Sequence, residues 1–119
     1  MVMMFKTKRI YGPPGPADGC RVLVDRIWPR GVSKEKARID LWMREIAPSD
    51  RLRKWFGHDP QRWIEFRERY REELKTKAEL IHQLKELGKR HGRVTLIYSA
   101  RDEGHNQALA LCEFLDNAK

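Results

Sequence analysis

Cysteine is scarce in this sequence: Cys20 and Cys112 are the two thiols among 119 residues. Two cysteines cannot build a disulfide framework, and neither has the paired spacing of a metal site. Long apolar runs are also missing, since no stretch approaches the roughly 20 residues that a membrane-spanning helix needs. The opening MVMMFKTKRIY places its lysines after its apolar residues, the reverse of a secretory leader. These absences predict a cytoplasmic protein with no membrane association. There is no glycine-rich loop ending in Lys and Ser or Thr, no GxGxxG opening a helix, and no His pair at helical metal spacing. No cofactor and no metal site is therefore expected, with His58, His82, His91 and His105 scattered along the chain.

Acid is in deficit. Lys and Arg number 25 against 17 Asp and Glu, a net charge of +8. Such an excess favours anionic partners: nucleic acid, nucleotide or phosphorylated metabolite. Much of the charge alternates in sign, as in Glu65-Phe66-Arg67-Glu68-Arg69, which is the pattern of a solvated helix face. The 40% hydrophobic content, with four Trp, four Phe and three Tyr, suffices for a core. The length fits one domain over residues 1–119.

A first strand is predicted over Met4 to Tyr11, ended by Gly12-Pro13-Pro14-Gly15-Pro16, which continues neither helix nor ladder. Arg21 to Ile27 predicts a second strand, stopped at Trp28-Pro29-Arg30-Gly31. Ser33 can cap a helical turn through Ala37, and Ile39, Leu41 and Met43 alternate as in a half-buried edge strand, though Leu41-Trp42-Met43 could equally open a helix. Pro48-Ser49-Asp50 and Asp59-Pro60 are helix starts. Trp63, Phe66, Tyr70 and Leu74 keep the helical period, as do Ala78, Ile81, Leu84 and Leu87 after a break near 75–77. Gly88 or Gly92 ends that run. Val94 to Tyr98 is a continuous apolar strand suited to burial on both faces, and Ala108, Leu111, Cys112 and Leu115 mark a last helix. The order predicts a small α/β domain: a mixed, mostly parallel sheet of about four strands with helices packed on it.

Cys20 and Arg26 have the spacing of a cysteine phosphatase loop, but the residues between them read as a strand, which cannot curl its amides around a phosphate. Cys112 sits on an apolar helical stripe and reads as a core thiol. The segments after the second and last strands are more informative, because ligands in open α/β sheets bind beyond the carboxyl ends of the strands. If those strands are parallel neighbours, Asp25, Arg26, Arg30, Ser99, Arg101 and Asn106 gather at one pocket. Arginines there suit forked contacts to phosphate or carboxylate. The plainer reading is that Asp25, Arg26, Arg101 and Asp102 tie loops together, that Asn106 caps the last helix, and that Trp28 plugs the core.

Asp18-Gly19, Arg21-Val22-Leu23-Val24-Asp25-Arg26 and Trp28-Pro29-Arg30-Gly31 closely resemble the signature of the YeaO-like (DUF488) proteins of bacteria and archaea. The resemblance continues through Leu52-Arg53-Lys54, Phe66-Arg67, Tyr70, Glu73-Leu74, Leu96, Tyr98-Ser99-Ala100 and Asn106, nearly the whole chain. It implies a compact cytoplasmic α/β domain and carries no assigned reaction. Cys20 departs from the aromatic or other residue expected there in relatives, which weakens a cysteine mechanism further.

The leading expectation is an Arg-rich site for an anionic small molecule, phosphorylated or nucleotide-like, on a binding protein or an enzyme. Arg26, Arg30 and Arg101 would hold the anion beside Trp28 and Asn106; Asp25 or Asp102 would be a general base and Ser99 a weak nucleophile. The alternative is a nucleic-acid module contacting phosphates through Arg51, Arg53, Lys54, Arg62, Arg67, Arg69 and Arg71. A partner-binding protein would instead expose Trp42, Trp55 or Phe56.

Overall fold

The computed structural model describes residues 4–117. Its strands are β1 (Phe5–Arg9), β2 (Cys20–Leu23), β3 (Leu41–Trp42) and β4 (Val94–Tyr98). Its helices are α1 (Lys34–Ala37), α2 (Asp50–Phe56), α3 (Trp63–Lys75), α4 (Ala78–His91) and α5 (Gln107–Asn117). The sheet order is β1-β4-β2-β3, and all three pairings are parallel where a mixed, mostly parallel sheet was expected. Phe5 pairs with Val94, Cys20 with Val94 on the other side, and Val22 with Leu41.

β4 is central because its sequence has no polar face to give to water. Val94, Leu96 and Ile97 are fully buried, and each such side chain stabilises the fold by about 1.5–3 kcal/mol. Val22, Val24, Val94, Leu96 and Tyr98 pack into the main core with Phe66, Tyr70, Leu84 and Leu111 of the long helices. Leu23, Ile97 and Ile10 point the other way, into a smaller cluster closed by Ala37, Trp28, Val32 and Trp42. One face of the sheet thus carries the long helices, and α1 with its flanking loops covers the other.

Local chemistry sets the boundaries. Ser49 Oγ accepts the Leu52 amide at 3.2 Å and starts α2, while Gly57, at φ 54°, ends it. Asp59 Oδ1 accepts the Gln61 amide at 3.0 Å, and a 3₁₀ turn over Pro60–Arg62 leads into α3. The break between α3 and α4 falls at Thr76 and Lys77, and Gly92, at φ 78°, stops α4. Three strands are shorter than predicted. β1 ends at Arg9 although Ile10 still donates to Tyr98 O (2.7 Å), and β2 ends at Leu23 although Val24 donates to Ile97 O (3.0 Å). β3 keeps two residues because the chain turns into a 3₁₀ segment at Arg44–Ile46.

Candidate functional site

β2 and β4 are parallel neighbours, and their last paired residues are Leu23 and Ile97. Two residues further on, Asp25 and Ser99 come level at the carboxyl rim of the sheet. Ser99 Oγ donates to Asp25 Oδ2 at 2.5 Å, and Gln107 Nε2, from the first residue of α5, donates to Asp25 Oδ1 at 2.6 Å. Asp25 is 8% exposed. Burial pushes its carboxyl above the ordinary range, against the pull of the Ser99 hydroxyl, Gln107, the Ser99 amide and the charge of His58.

Arg26 points to the neighbouring segment between β3 and α2. Its Nε donates to Pro48 O at 3.2 Å and its Nη2 to Ala47 O at 3.1 Å. Lys77 Nζ also reaches Ala47 O (2.9 Å), and Tyr70 Oη donates to Ile46 O (2.7 Å). Three consecutive carbonyls are therefore fixed by side chains, which satisfies buried backbone acceptors and makes a stiff wall. On the other side, Arg9 holds the exit of β4 through Ala100 O (2.9 Å) and Ser99 O (3.3 Å).

Between these walls lies an open cavity of about 180 Å³. Asp25, Arg26, Ser99, Asn106 and Gln107 line it together with Ile27, Pro48, Arg53, Phe56, His58 and Phe66. Phe56 and Phe66 stack at 4.2 Å between ring centroids and supply an aromatic side. Arg53 is exposed and ion-paired with Asp50 at 3.4 Å. His58 follows Gly57 with a second left-handed backbone (φ 58°), which turns its side chain onto the cavity. The buried carboxylate thus stands at the inner end and the cations nearer the mouth.

The other predicted site residues separate. Arg101 and Asp102 border a second, more open depression beside the cavity, shared with His58 and Ser99. Asp102 Oδ2 contacts His105 Nδ1 at 2.8 Å and its Oδ1 accepts the Gly104 amide at 2.9 Å; both lower its carboxyl pKa. Asn106 is buried and caps α5: its Oδ1 accepts the Leu109 amide at 2.8 Å and its Nδ2 donates to Asp102 O at 3.0 Å. Trp28 leaves the pocket altogether. Its Nε1 donates to Val32 O at 2.9 Å, and its ring meets Trp42 edge-on at 5.5 Å in the smaller cluster. Arg30 sits exposed in the turn closed by that bond and does not line the cavity.

Comparison with known sequences places this arrangement. Residues 4–119 match the family model DUF488-N3i, described as the inactive DUF488-N3 subclade. The chain belongs to this family. The uncharacterised protein YeaO of Escherichia coli K12 is 40% identical over 113 residues, covering 95% of this chain and 97% of YeaO. The uncharacterised protein Rv3073c of Mycobacterium tuberculosis H37Rv is 42% identical over 113 residues, covering 93% and 92%. No solved structure matches.

Within this DUF488 chain the middle helices carry charge that is compensated in part. Arg53 pairs with Asp50, Arg62 with Asp59 (3.8 Å), Arg67 with Glu113 (2.9 Å) and Arg69 with Glu65. Arg62 and Arg69 also lie over the Trp55 ring, at 5.3 and 4.3 Å, and Phe56 is buried. Both cysteines are buried and free; burial, with Asp40 nearby, pushes the Cys20 thiol up, and burial with Asp116 pushes Cys112 up to about 11. Among the described residues, no group of three or more His, Cys, Asp or Glu could hold a metal ion, and no helix is long and apolar enough to cross a membrane. His58, Arg53 and Gln107 were not singled out for the pocket from sequence. The one local signal for His58 was the Gly57 helix stop before it.

Proposed function

We propose that this protein holds a small anionic molecule, phosphorylated or nucleotide-like, in the cavity at the carboxyl rim of β2 and β4. The observation that carries the reading is the convergence of Arg26, Arg53 and His58 on one concave site with an aromatic side. Arg26 spends Nε and Nη2 on loop carbonyls, which leaves its Nη1 donors for a ligand. The anion meets the arginines near the mouth, the body of the ligand rests against Phe56 and Phe66, and a ligand N–H or O–H faces Asp25.

Binding without turnover is the version best supported. Ser99 Oγ touches Asp25 directly, so no imidazole stands between them to activate the hydroxyl. Asp102, held below the usual carboxylate range, is a poor base. The description of the matching family as an inactive subclade fits a binder.

A thermal-shift panel of inorganic phosphate, sugar phosphates and nucleoside monophosphates tests the proposal. A ligand at about 100 times its Kd stabilises by about 2.7 kcal/mol, which for this chain length is roughly 10 °C in Tm. Arg53→Gln and His58→Asn (Asn tolerates the left-handed backbone) are expected to reduce the shift. The proposal fails if no anion raises Tm at millimolar concentration, or if Arg53→Gln keeps the full shift.

A further inference from the structure

The side of the sheet away from the long helices carries charge that the fold does not compensate. Arg30, Lys34, Lys36, Arg38 and Arg44 are all exposed there, and none has a carboxylate partner among the described residues. On the middle helices Arg53, Arg62, Arg67 and Arg69 are each ion-paired, while Arg51, Lys54 and Arg71 are exposed with no carboxylate partner among the described residues.

Ring contacts join part of this patch. Lys34 Nζ lies 5.9 Å from the Trp28 ring, Trp28 packs on Trp42, and Arg44 lies 4.8 Å over Trp42. Behind α1, the Arg21 guanidinium donates to Ala37 O at 2.8 Å, next to Arg38, and bonds Asp18 at 2.6 Å. Lys6 and Lys8, each about a third exposed, reach the same Asp18 carboxylate at 3.2 and 3.1 Å. One carboxylate therefore answers three cations, and the excess adds to the five exposed charges. Glu35, Asp40 and Glu45 are the acids nearest in sequence to these groups; all three are exposed, and Asp40 accepts the Arg21 amide.

We propose that this face binds the phosphate backbone of nucleic acid without reading base sequence. Grouping like charges on one face costs energy that a polyanion recovers through counterion release. Base readout has no element to carry it: α1, with four residues, is too short to serve as a recognition helix in a groove. Cations already lie over the Trp28 and Trp42 rings, so these do not offer open stacking platforms. The surface is distinct from the α2–α3 face expected from the sequence and from the anion cavity.

The test is fluorescence anisotropy of the full chain with a labelled DNA of about 16 nucleotides, single-stranded in one arm and duplex in the other. Five phosphate contacts predict a log K against log salt slope near −4.5 on duplex and near −3.5 on the single strand, with affinity falling by roughly 100-fold or more from about 50 to 200 mM salt. The variant Arg30→Gln, Lys34→Gln, Lys36→Gln, Arg38→Asn is expected to bring the slope near −1 and to weaken low-salt binding by at least about 100-fold. Asn is chosen at position 38 because Arg38 has φ 49°. The control variant Arg51→Gln, Lys54→Gln, Arg71→Gln stays within about threefold of wild type. If the quadruple variant fails to fold by circular dichroism, Lys34→Glu with Lys36→Glu provides the same readout by charge reversal. The proposal is overturned if the chain does not bind either DNA at low salt, if the helical variant loses as much as the α1 variant, or if phosphatidylserine vesicles bind where DNA does not.

Discussion

Replacing Asp18 by Asn would remove the single negative charge from a place where three cations meet. Asp18 is 2% exposed and Arg21 is 3% exposed, and the guanidinium's other acceptor is Ala37 O. With Asn in place, Arg21 stays buried with no counter-charge, and breaking a buried pair from one side costs about 3–5 kcal/mol. Lys6 and Lys8 can turn outward, so their share is small. A loss of about 3–4 kcal/mol follows, and with an unfolding entropy of about 2.1 cal/mol/K per residue it lowers Tm by roughly 12–16 °C. Circular dichroism melts read this directly, and acid adds a second check. Burial alone would raise the Asp18 carboxyl, but the Gly15 amide with Lys8, Arg21 and Lys6 holds it well below the usual range. Its folded pKa is depressed, so its contribution is complete above the ordinary value of 3.8 and disappears as pH falls through the folded value. Wild type and Asp18→Asn should therefore converge in strong acid. A deficit under about 1 kcal/mol at neutral pH, or a gap that stays constant into strong acid, would refute the reasoning.

Three further outcomes follow from the geometry of single residues. Gly19→Ala puts a Cβ 2.3 Å from Arg93 O at a residue with φ 63°, next to the bond from the Cys20 amide to that same oxygen; we expect about 3 kcal/mol lost in urea melts. Gly92→Ala, also left-handed but with nothing within 4 Å, should cost about 1 kcal/mol, and equal losses would discard the collision argument. Asp25→Asn should cost less than about 1 kcal/mol at neutral pH, because burial makes the ionised form unfavourable there. The folded pKa is raised, so wild type should gain on this variant as pH falls through that pKa toward 3.8; a gain with rising pH would contradict it.

Where residues carry their own local instructions, the fold was legible in sequence. Val94–Tyr98 has no polar alternation and lies buried at the sheet centre; Ser49, Asp59-Pro60 and Gly92 mark helix ends through caps that act over three residues. β3 was legible only as an ambiguity, since two residues at an edge leave little period to read. The meeting of Asp25 with Ser99 could be anticipated as a consequence of adjacent parallel strands. The direction of Arg26 could not, because the Ala47 and Pro48 carbonyls that capture it lie about twenty residues away. Trp28 and Arg30 follow Arg26 in sequence yet turn to the other face, as Trp28 Nε1 closes on Val32 O. His58 depended on two successive left-handed residues, and neighbouring letters do not announce the second of them.

The strand order also bears on how the chain is made. β4 separates β1 from β2 in the sheet, yet in the chain it follows β2 by about seventy residues and β1 by about eighty-five. During synthesis the first strand has no lateral neighbour until α1 to α4 have left the ribosome. Its partner, which also pairs all four residues of β2, arrives nearly last. Completion of the sheet is therefore a late, non-local closure, of the kind that slows folding and leaves strand edges open to other chains meanwhile. A nascent chain halted after α4 would hold its helices without the strand that joins its two halves.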